Sequence, residues 1–204
     1  KLNPTEITFI DPCCGSGHIL VYAFEVFYQI YLQAGYNKKD IPELILKNNL
    51  YGLDIDDRAG QLSILSVLLK ARQYDKDIFN KEVIKQLNIL SIQESNTIPV
   101  YLADNFQNEK LNKDILELYE VNLNAKEIGS LLKTKKIDYS ELKQYINDDN
   151  TLFRLESEQK IIPLIRQDEL LNKEYDIVVT NPPYFKNSSM SIFLKKYVDK
   201  HYTL

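Results

Sequence analysis

Four short runs rich in β-branched and aromatic residues punctuate the chain: ITFID (Ile7–Asp11), LYGLDID (Leu50–Asp56), NILSIQE (Asn88–Glu94) and YDIVVT (Tyr175–Thr180). Each stops at a polar or turn residue, and stretches with helical spacing lie between them. Strand alternating with helix directs a chain to parallel βαβ units, because a parallel neighbour needs a crossover long enough to hold a helix. After the first run, the segment from about His18 to Ala34 is apolar nearly all round, which predicts a helix buried on several sides. A shorter helix follows near Ile41–Asn48. Beyond the second run, Asp57 can cap a helix whose Leu62, Leu65, Leu68 and Leu69 share one face.

The rhythm breaks once, between the third and fourth runs. Residues 95–173 are rich in Leu, Lys, Asp, Glu and Asn and hold a single glycine, Gly129. A structureless loop of that length is improbable in a compact domain, and DILELYEVNL and EIGSLLK carry helical spacing. The expectation is an α/β, Rossmann-like fold: a partial parallel sheet in the order 3-2-1-4, helices on both faces, and a helical insertion before strand 4.

Bulk properties narrow the class. With 204 residues, 44% hydrophobic and 26% charged, the chain suits one soluble domain. It opens with lysine, which suggests a piece of a longer protein. A net charge of -4 and a pI near 5.3 exclude a globally basic surface, so any nucleic acid would be held mainly by regions outside this piece. Cys13 and Cys14 are adjacent and have no other cysteine to pair with, so they offer neither a disulfide framework nor a metal site. No metal is expected, and a reducing cytoplasm is the simpler location. The longest apolar run, HILVYAFEVFYQIYL, is interrupted by Glu25 and Gln29 and is too short to span a membrane.

The turn after the first strand reads DPCCGSG, Asp11–Gly17. A strand, a glycine-bearing turn and a helix form the usual nucleotide crevice of doubly wound sheets. Gly15 and Gly17 let backbone approach a ligand, although they would equally serve a tight turn that binds nothing. The turn is neither a P-loop nor GxGxxG, so the ligand should carry adenosine without a pyrophosphate. Cys14 and Cys13 would fit as small buried hydrophobes. Asp54, with Ile55 beside it, closes strand 2 where an acid can accept both ribose hydroxyls; helix capping is the alternative, and the better one for Asp56 and Asp57. Gln93 and Glu94 end strand 3, where either could read an adenine amine; Asp104 is a rival.

The fourth strand ends in NPPY, Asn181–Tyr184. The conjugated nitrogen of a ring amine or amide is a poor nucleophile. Two acceptors on its two hydrogens return electron density to it. The Asn181 amide oxygen and the Pro182 carbonyl can be that pair. Pro182 and Pro183 fix φ and aim the carbonyl in advance. Tyr184 offers a face on which a flat base can stack, worth ~1–3 kcal/mol. Asn-Pro is also a plain turn signal.

DPCCGSG, the strand ending in Asp54, and NPPY in this order resemble the class I S-adenosylmethionine-dependent methyltransferases of gamma-type arrangement that act on adenine N6 in DNA. More narrowly, ITFIDPCCGSGHILVYAFEVFYQIY, YGLDIDDRAGQLS, ILSIQESN, EIGSLLK and YDIVVTNPPY are similar to the PglX family of BREX-type phage-defence systems. The resemblance covers nearly the whole chain and is weakest at about Asp138–Lys160. It implies that residues 1–204 are a partial catalytic domain lacking the later strands and the target-recognition domain. It implies that S-adenosylmethionine is held by Asp11, Pro12, Cys13, Gly15, Gly17, Asp54, Ile55, Gln93 and Glu94, and that Asn181, Pro182, Pro183 and Tyr184 act on a flipped adenine of double-stranded DNA. Other defence-system proteins are implied as partners. Type IIG restriction-modification enzymes share the general motifs. Glutamine methyltransferases also use NPPY but with a DxGxGSG loop, RNA guanine-N2 methyltransferases combine DPxCGSG with NPPY, and a non-catalytic DNA-binding scaffold is a third alternative.

Overall fold

The computed structural model describes residues 3–99, 109–148, 152–183 and 190–202, apart from the side chains of 152 and 153. These fall into two compact units, Lys1–Ser91 with Glu174–Pro183 and Ile92–Lys173 with Tyr184–Leu204.

The first unit carries the sheet. Its elements are β1 (Phe9–Asp11), α1 (His18–Gln33), α2 (Ile41–Asn48), β2 (Leu50–Asp54), α3 (Asp57–Arg72), β3 (Asn88–Ser91) and β4 (Ile177–Val178). The strands lie in the order β3-β2-β1-β4 and every pairing is parallel, as the alternation of strand and helix predicts. Phe9 pairs with Leu50 on one side and Ile177 on the other, so β1 is central and its carboxyl end lies between those of β2 and β4.

Two details differ from the sequence reading. The Tyr175–Thr180 run reads as a buried strand, yet Ile177, Val178 and Val179 are exposed, because β4 pairs only with β1 among the described residues. An apolar groove of about 280 Å3, lined by Ile7, Phe9, Ile19, Tyr22, Val26 and Val179 among others, runs beside it. The buried stripe of α3 is also not the leucine face: Leu62, Leu65 and Leu69 are exposed, while Gly60, Ser63, Val67, Leu68 and Ala71 are buried. Small residues let α3 approach closely. A Cβ on Gly60 would stand 2.2 Å from Ser91 Oγ.

Helix α1 buries Leu20, Ala23, Phe24, Phe27, Tyr28 and Tyr31 and leaves Tyr22 and Val26 exposed. Each large apolar side chain so buried contributes ~1.5–3 kcal/mol. The fully buried Asn49 ties this core to the strands. Its Nδ2 donates to Pro4 O and Ile7 O, both at 2.7 Å, and its Oδ1 accepts from Tyr31 Oη at 2.9 Å. Asn49 O accepts from Phe9 N–H at 2.8 Å, one residue before β2 begins. Its side-chain amide is thus satisfied, as a buried amide must be.

The second unit is helical among its described residues: Glu109–Val121, Ala125–Ile128, Tyr139–Asp148, Leu152–Asn172 and Ile192–His201. Its core joins Ile98, Leu111, Ile115, Leu118, Leu142, Ile146, Ile161, Leu164 and Ile165. One acid is buried beside that core. Burial pushes the Asp168 carboxyl up to about 7 and the nearby Glu117 adds to the rise, against a hydrogen bond donated by Asn122 Nδ2. A carboxyl that holds its proton longer folded than unfolded stabilises the fold at low pH, and that contribution is lost as pH climbs through about 7. Asp168→Asn is therefore expected to make this unit more stable at neutral pH and to flatten its stability between about pH 4 and 8. Amide exchange in helix Leu152–Asn172, corrected for intrinsic rates, measures it; equal slopes in both proteins would contradict the assignment.

Candidate functional site

The carboxyl ends of β2, β1 and β4 bring the first two motifs and the start of the third together within one unit. Asp11, the last residue of β1, is 1% exposed, and its Oδ1 accepts from Cys13 N–H at 3.1 Å. Burial raises its carboxyl above the ordinary range and the charge of Asp54 adds to this, while hydrogen bonds from Thr180 and the Cys13 N–H oppose it. Thr180 immediately precedes Asn181, and the parallel pairing of β4 with β1 places it beside the strand end that Asp11 closes. The sequence reading missed Thr180; its position at the close of a β-branched run, directly before the Asn-Pro turn, is the only signal it left.

Asp54 terminates β2 and is half-buried. Its Oδ2 accepts from Gly15 N–H at 2.8 Å and its Oδ1 from Asp56 N–H at 2.9 Å. One carboxylate therefore fixes both the glycine loop and its own loop, and each oxygen keeps a further lone pair for a ligand hydroxyl. The α3 cap is Asp56, whose Oδ1 accepts from Arg58 N–H at 2.7 Å and Ala59 N–H at 3.3 Å; Asp57, read as the cap from sequence, is the first helical residue. Ile55 is exposed and Pro12 and Cys13 are half-buried. Cys14 is buried, and burial pushes its thiol up to about 11, so it remains an uncharged thiol at neutral pH.

The two glycines have different reasons. Gly17 sits at φ 85° as the residue before α1, and a Cβ there would meet Ser63 Oγ at 2.6 Å and Ser63 Cα at 2.9 Å. It is needed for packing. Gly15 also has positive φ, +52°, but a Cβ there would meet nothing within 4 Å among the described residues. It faces open space at the strand ends.

Asn181, Pro182 and Pro183 follow β4 and are exposed; Tyr184 and Asp104 lie outside the described residues. Gln93 and Glu94 belong to the second unit, where β3 has already ended at Ser91. Gln93 N–H donates to Gln167 Oε1 at 2.6 Å, and Glu94 Oε1 accepts from Lys126 N–H at 3.1 Å. Among the described residues no cluster of His, Cys, Asp and Glu could hold a metal, and no helix is long and apolar enough to cross a membrane.

Residues 48–204 match the Eco57I restriction-modification methylase family. The chain belongs to this family. It is 36% identical over 234 aligned positions to the adenine-specific methyltransferase BrxX of Escherichia coli O9:H4 (strain HS), with 99% of the chain and 19% of that protein covered. It is 31% identical over 222 positions to the adenine-specific methyltransferase PglX of Lacticaseibacillus casei (strain Zhang), covering 99% of the chain and 18% of that protein. A shorter likeness, 36% over 70 positions, covers 31% of the chain and 6% of a putative type II restriction enzyme and methyltransferase of Methanocaldococcus jannaschii. The chain thus spans under a fifth of the length of the two methyltransferases it matches throughout. In this methylase family member the loop, the strand-2 acid and the start of NPPY share one unit.

The two glycine substitutions should separate. Gly17→Ala is expected to destabilise by more than the ~1–2 kcal/mol of a left-handed backbone, since the Ser63 backbone must also move. Gly15→Ala should cost only the backbone term. Thermal denaturation of both variants tests this, and a Gly15→Ala protein as unstable as Gly17→Ala would refute the assignment.

Proposed function

We propose that this chain is part of the catalytic domain of a DNA methyltransferase that transfers a methyl group from S-adenosylmethionine to the N6 amine of a flipped adenine. The observation that carries this reading is the junction at the strand ends: Asp54 accepts the Gly15 N–H, and β4, which leads into Asn181, pairs in parallel with β1, which ends at Asp11. The names of the relatives, both adenine-specific methyltransferases, support the choice of base.

On this reading the glycine loop and Asp11 meet the methionine end of the donor, and Asp54 the ribose. Burial of the Asp11 carboxyl beside a second acid suits a ligand that brings positive charge, which a sulfonium and an ammonium supply. The bound donor supplies an electrophilic methyl group. Asn181 Oδ1 and the Pro182 carbonyl accept the two hydrogens of the target amine and turn its lone pair toward that methyl. Tyr184 stacks on the base. An adenine inside a duplex cannot reach a donor at the strand ends, so the base leaves the stack.

The rest of the reading extends outside this chain. DNA is held mainly by other parts of the full-length protein, since this piece carries a net charge of -4. Its setting is a phage-defence or restriction-modification system in the cytoplasm, with other defence proteins as partners.

Two substitutions in the full-length protein divide the labour. Asn181→Ala should lower methyl transfer by ~10²–10³ because its acceptor acts as charge develops on nitrogen. Donor affinity should then stay within a few fold. Asp54→Ala should weaken donor binding instead, by about tenfold to a hundredfold. Calorimetry with S-adenosylmethionine and tritium transfer to DNA and to rRNA are the measurements. Near wild-type adenine methylation by Asn181→Ala would sink the catalytic assignment, and transfer to rRNA alone would move the substrate to RNA.

A further inference from the structure

The outward face of α3 carries a pattern that the sheet does not use. Arg58, Leu62, Leu65, Leu69 and Arg72 follow one another at steps of four, three, four and three residues, the spacing of a coiled-coil seam. Steps of that kind keep the five side chains on one stripe of the helix. All five are exposed, the leucines to 49%, 46% and 48%. The buried stripe is a different one, Gly60, Ser63, Val67, Leu68 and Ala71, so the seam points away from the core of its own unit. A single exposed leucine is ordinary and implies no partner. Three in register, with a cation at each end, form a surface of defined shape and charge.

The charge is one-sided. No aspartate or glutamate lies between Arg58 and Gln73. Lys70, the remaining cation of that stretch, is turned to Glu25 of α1 at 2.6 Å. Neither arginine makes an ion pair among the described residues. Arg72 Cζ lies 5.5 Å from the centre of the exposed Phe79 ring, which fixes where that guanidinium stands. Arg58 and Arg72 are separated by about 21 Å along the helix axis.

We propose that this seam is the docking site of an amphipathic helix from a part of the full-length chain outside residues 1–204, with apolar residues at alternating three- and four-residue steps and a carboxylate near each end. Arg58 and Arg72 then each meet an Asp or Glu, which sets the two acids roughly 14 residues apart on that helix. A second copy of the chain does not fit. Two seams paired antiparallel set Arg58 against Arg72 of the other copy, and paired parallel each arginine meets its own equivalent. Like charges are penalised at an interface either way. Five side chains also fall far short of the ~20–30 residues a side that hold separate molecules together. A helix tethered in the same chain needs far less, because its effective concentration reaches about the millimolar range. The chain spans under a fifth of the two methyltransferases it matches throughout, so a protein of that length has ample further sequence to supply the helix.

The test uses purified full-length protein. Leu65→Cys, and Leu62→Cys as a second site, are labelled with a maleimide. Mass spectrometry reads the rate at that residue separately from Cys13 and Cys14. Each rate should be about tenfold or more below that of the same protein in denaturant, the protection a tethered helix gives. Adding Leu65→Asp to the Leu62→Cys protein should restore the fast rate. In Arg58→Lys and Arg72→Lys proteins, a carbodiimide joins each new amine to a carboxylate in contact with it. Both should couple to acids of one peptide outside residues 1–204, about 14 positions apart. A mixture of nitrogen-15-labelled and unlabelled protein shows whether the joined residues share a chain. Labelling as fast as in denaturant leaves the seam open, whether to a separate protein, an anionic membrane or water, and overturns the proposal. Coupling between two copies, coupling only to acids within residues 1–204, or slow labelling that Leu65→Asp does not relieve overturns it as well, as does slow labelling with no coupling at all.

Discussion

Much of the first unit's strand-end geometry depends on one carboxylate. Asp54 receives the Gly15 N–H on one oxygen and the Asp56 N–H on the other, so the loops after β1 and β2 are tied at a single side chain. A glycine loop with positive φ at both Gly15 and Gly17 has little intrinsic reason to hold one shape. A charge-assisted hydrogen bond to its middle supplies that reason, and such bonds are about twice as strong as neutral ones. The Cys14 N–H adds a second tie, to Leu53 O at 2.9 Å. With Gly17 pressed against Ser63 of α3, the loop is held from β2 and from α3 at once.

The strand order and the ends of β1 and β2 were legible because each of those runs is β-branched or aromatic and closes on an acid, Asp11 or Asp54, next to turn chemistry. The third run misled by three residues. Gln93 and Glu94 follow the NILSI run with no turn residue between, but the Gln93 backbone bonds to the Gln167 side chain rather than to a strand, and the ladder stops at Ser91. No local pattern announces a partner 74 residues away. The α3 face failed for a different reason. Leucine spacing marks where apolar side chains are, whereas the approach distance is set by Gly60, Ser63 and Ala71, which hydrophobic periodicity scores as nearly silent.

The site residues divide along the same line. Residue types that chemistry demands, an acid at a strand end or a glycine in a turn, could be picked out without coordinates. What their side chains are already doing could not. Glu94 and Gln93 looked interchangeable in sequence; the Lys126 N–H occupies one of them, and the Gln167 amide grips the backbone of the other. Thr180 was invisible because a threonine closing a strand is ordinary, and only its nearness to the buried Asp11, whose carboxyl it helps to hold down, gives it a place in the site.

Pairing of β4 with β1 explains how an exposed motif can be set in position. Asn181, Pro182 and Pro183 have few contacts of their own to define them, since β4 pairs on one side only among the described residues. Their register is fixed from β1 instead: Ile177 N–H donates to Thr8 O at 3.0 Å and Val179 N–H to Ile10 O at 3.1 Å. Asp176 Oδ2 adds two bonds at the strand's start, from Thr8 N–H at 2.7 Å and Thr8 Oγ1 at 2.9 Å. Pro182 and Pro183 stiffen the backbone beyond Asn181 by fixing φ. The backbone that leads into Asn181 is therefore set by the same strand, β1, that ends in the first loop. Any shift of β1 therefore carries the first loop and the start of NPPY together, because both are joined to that one strand.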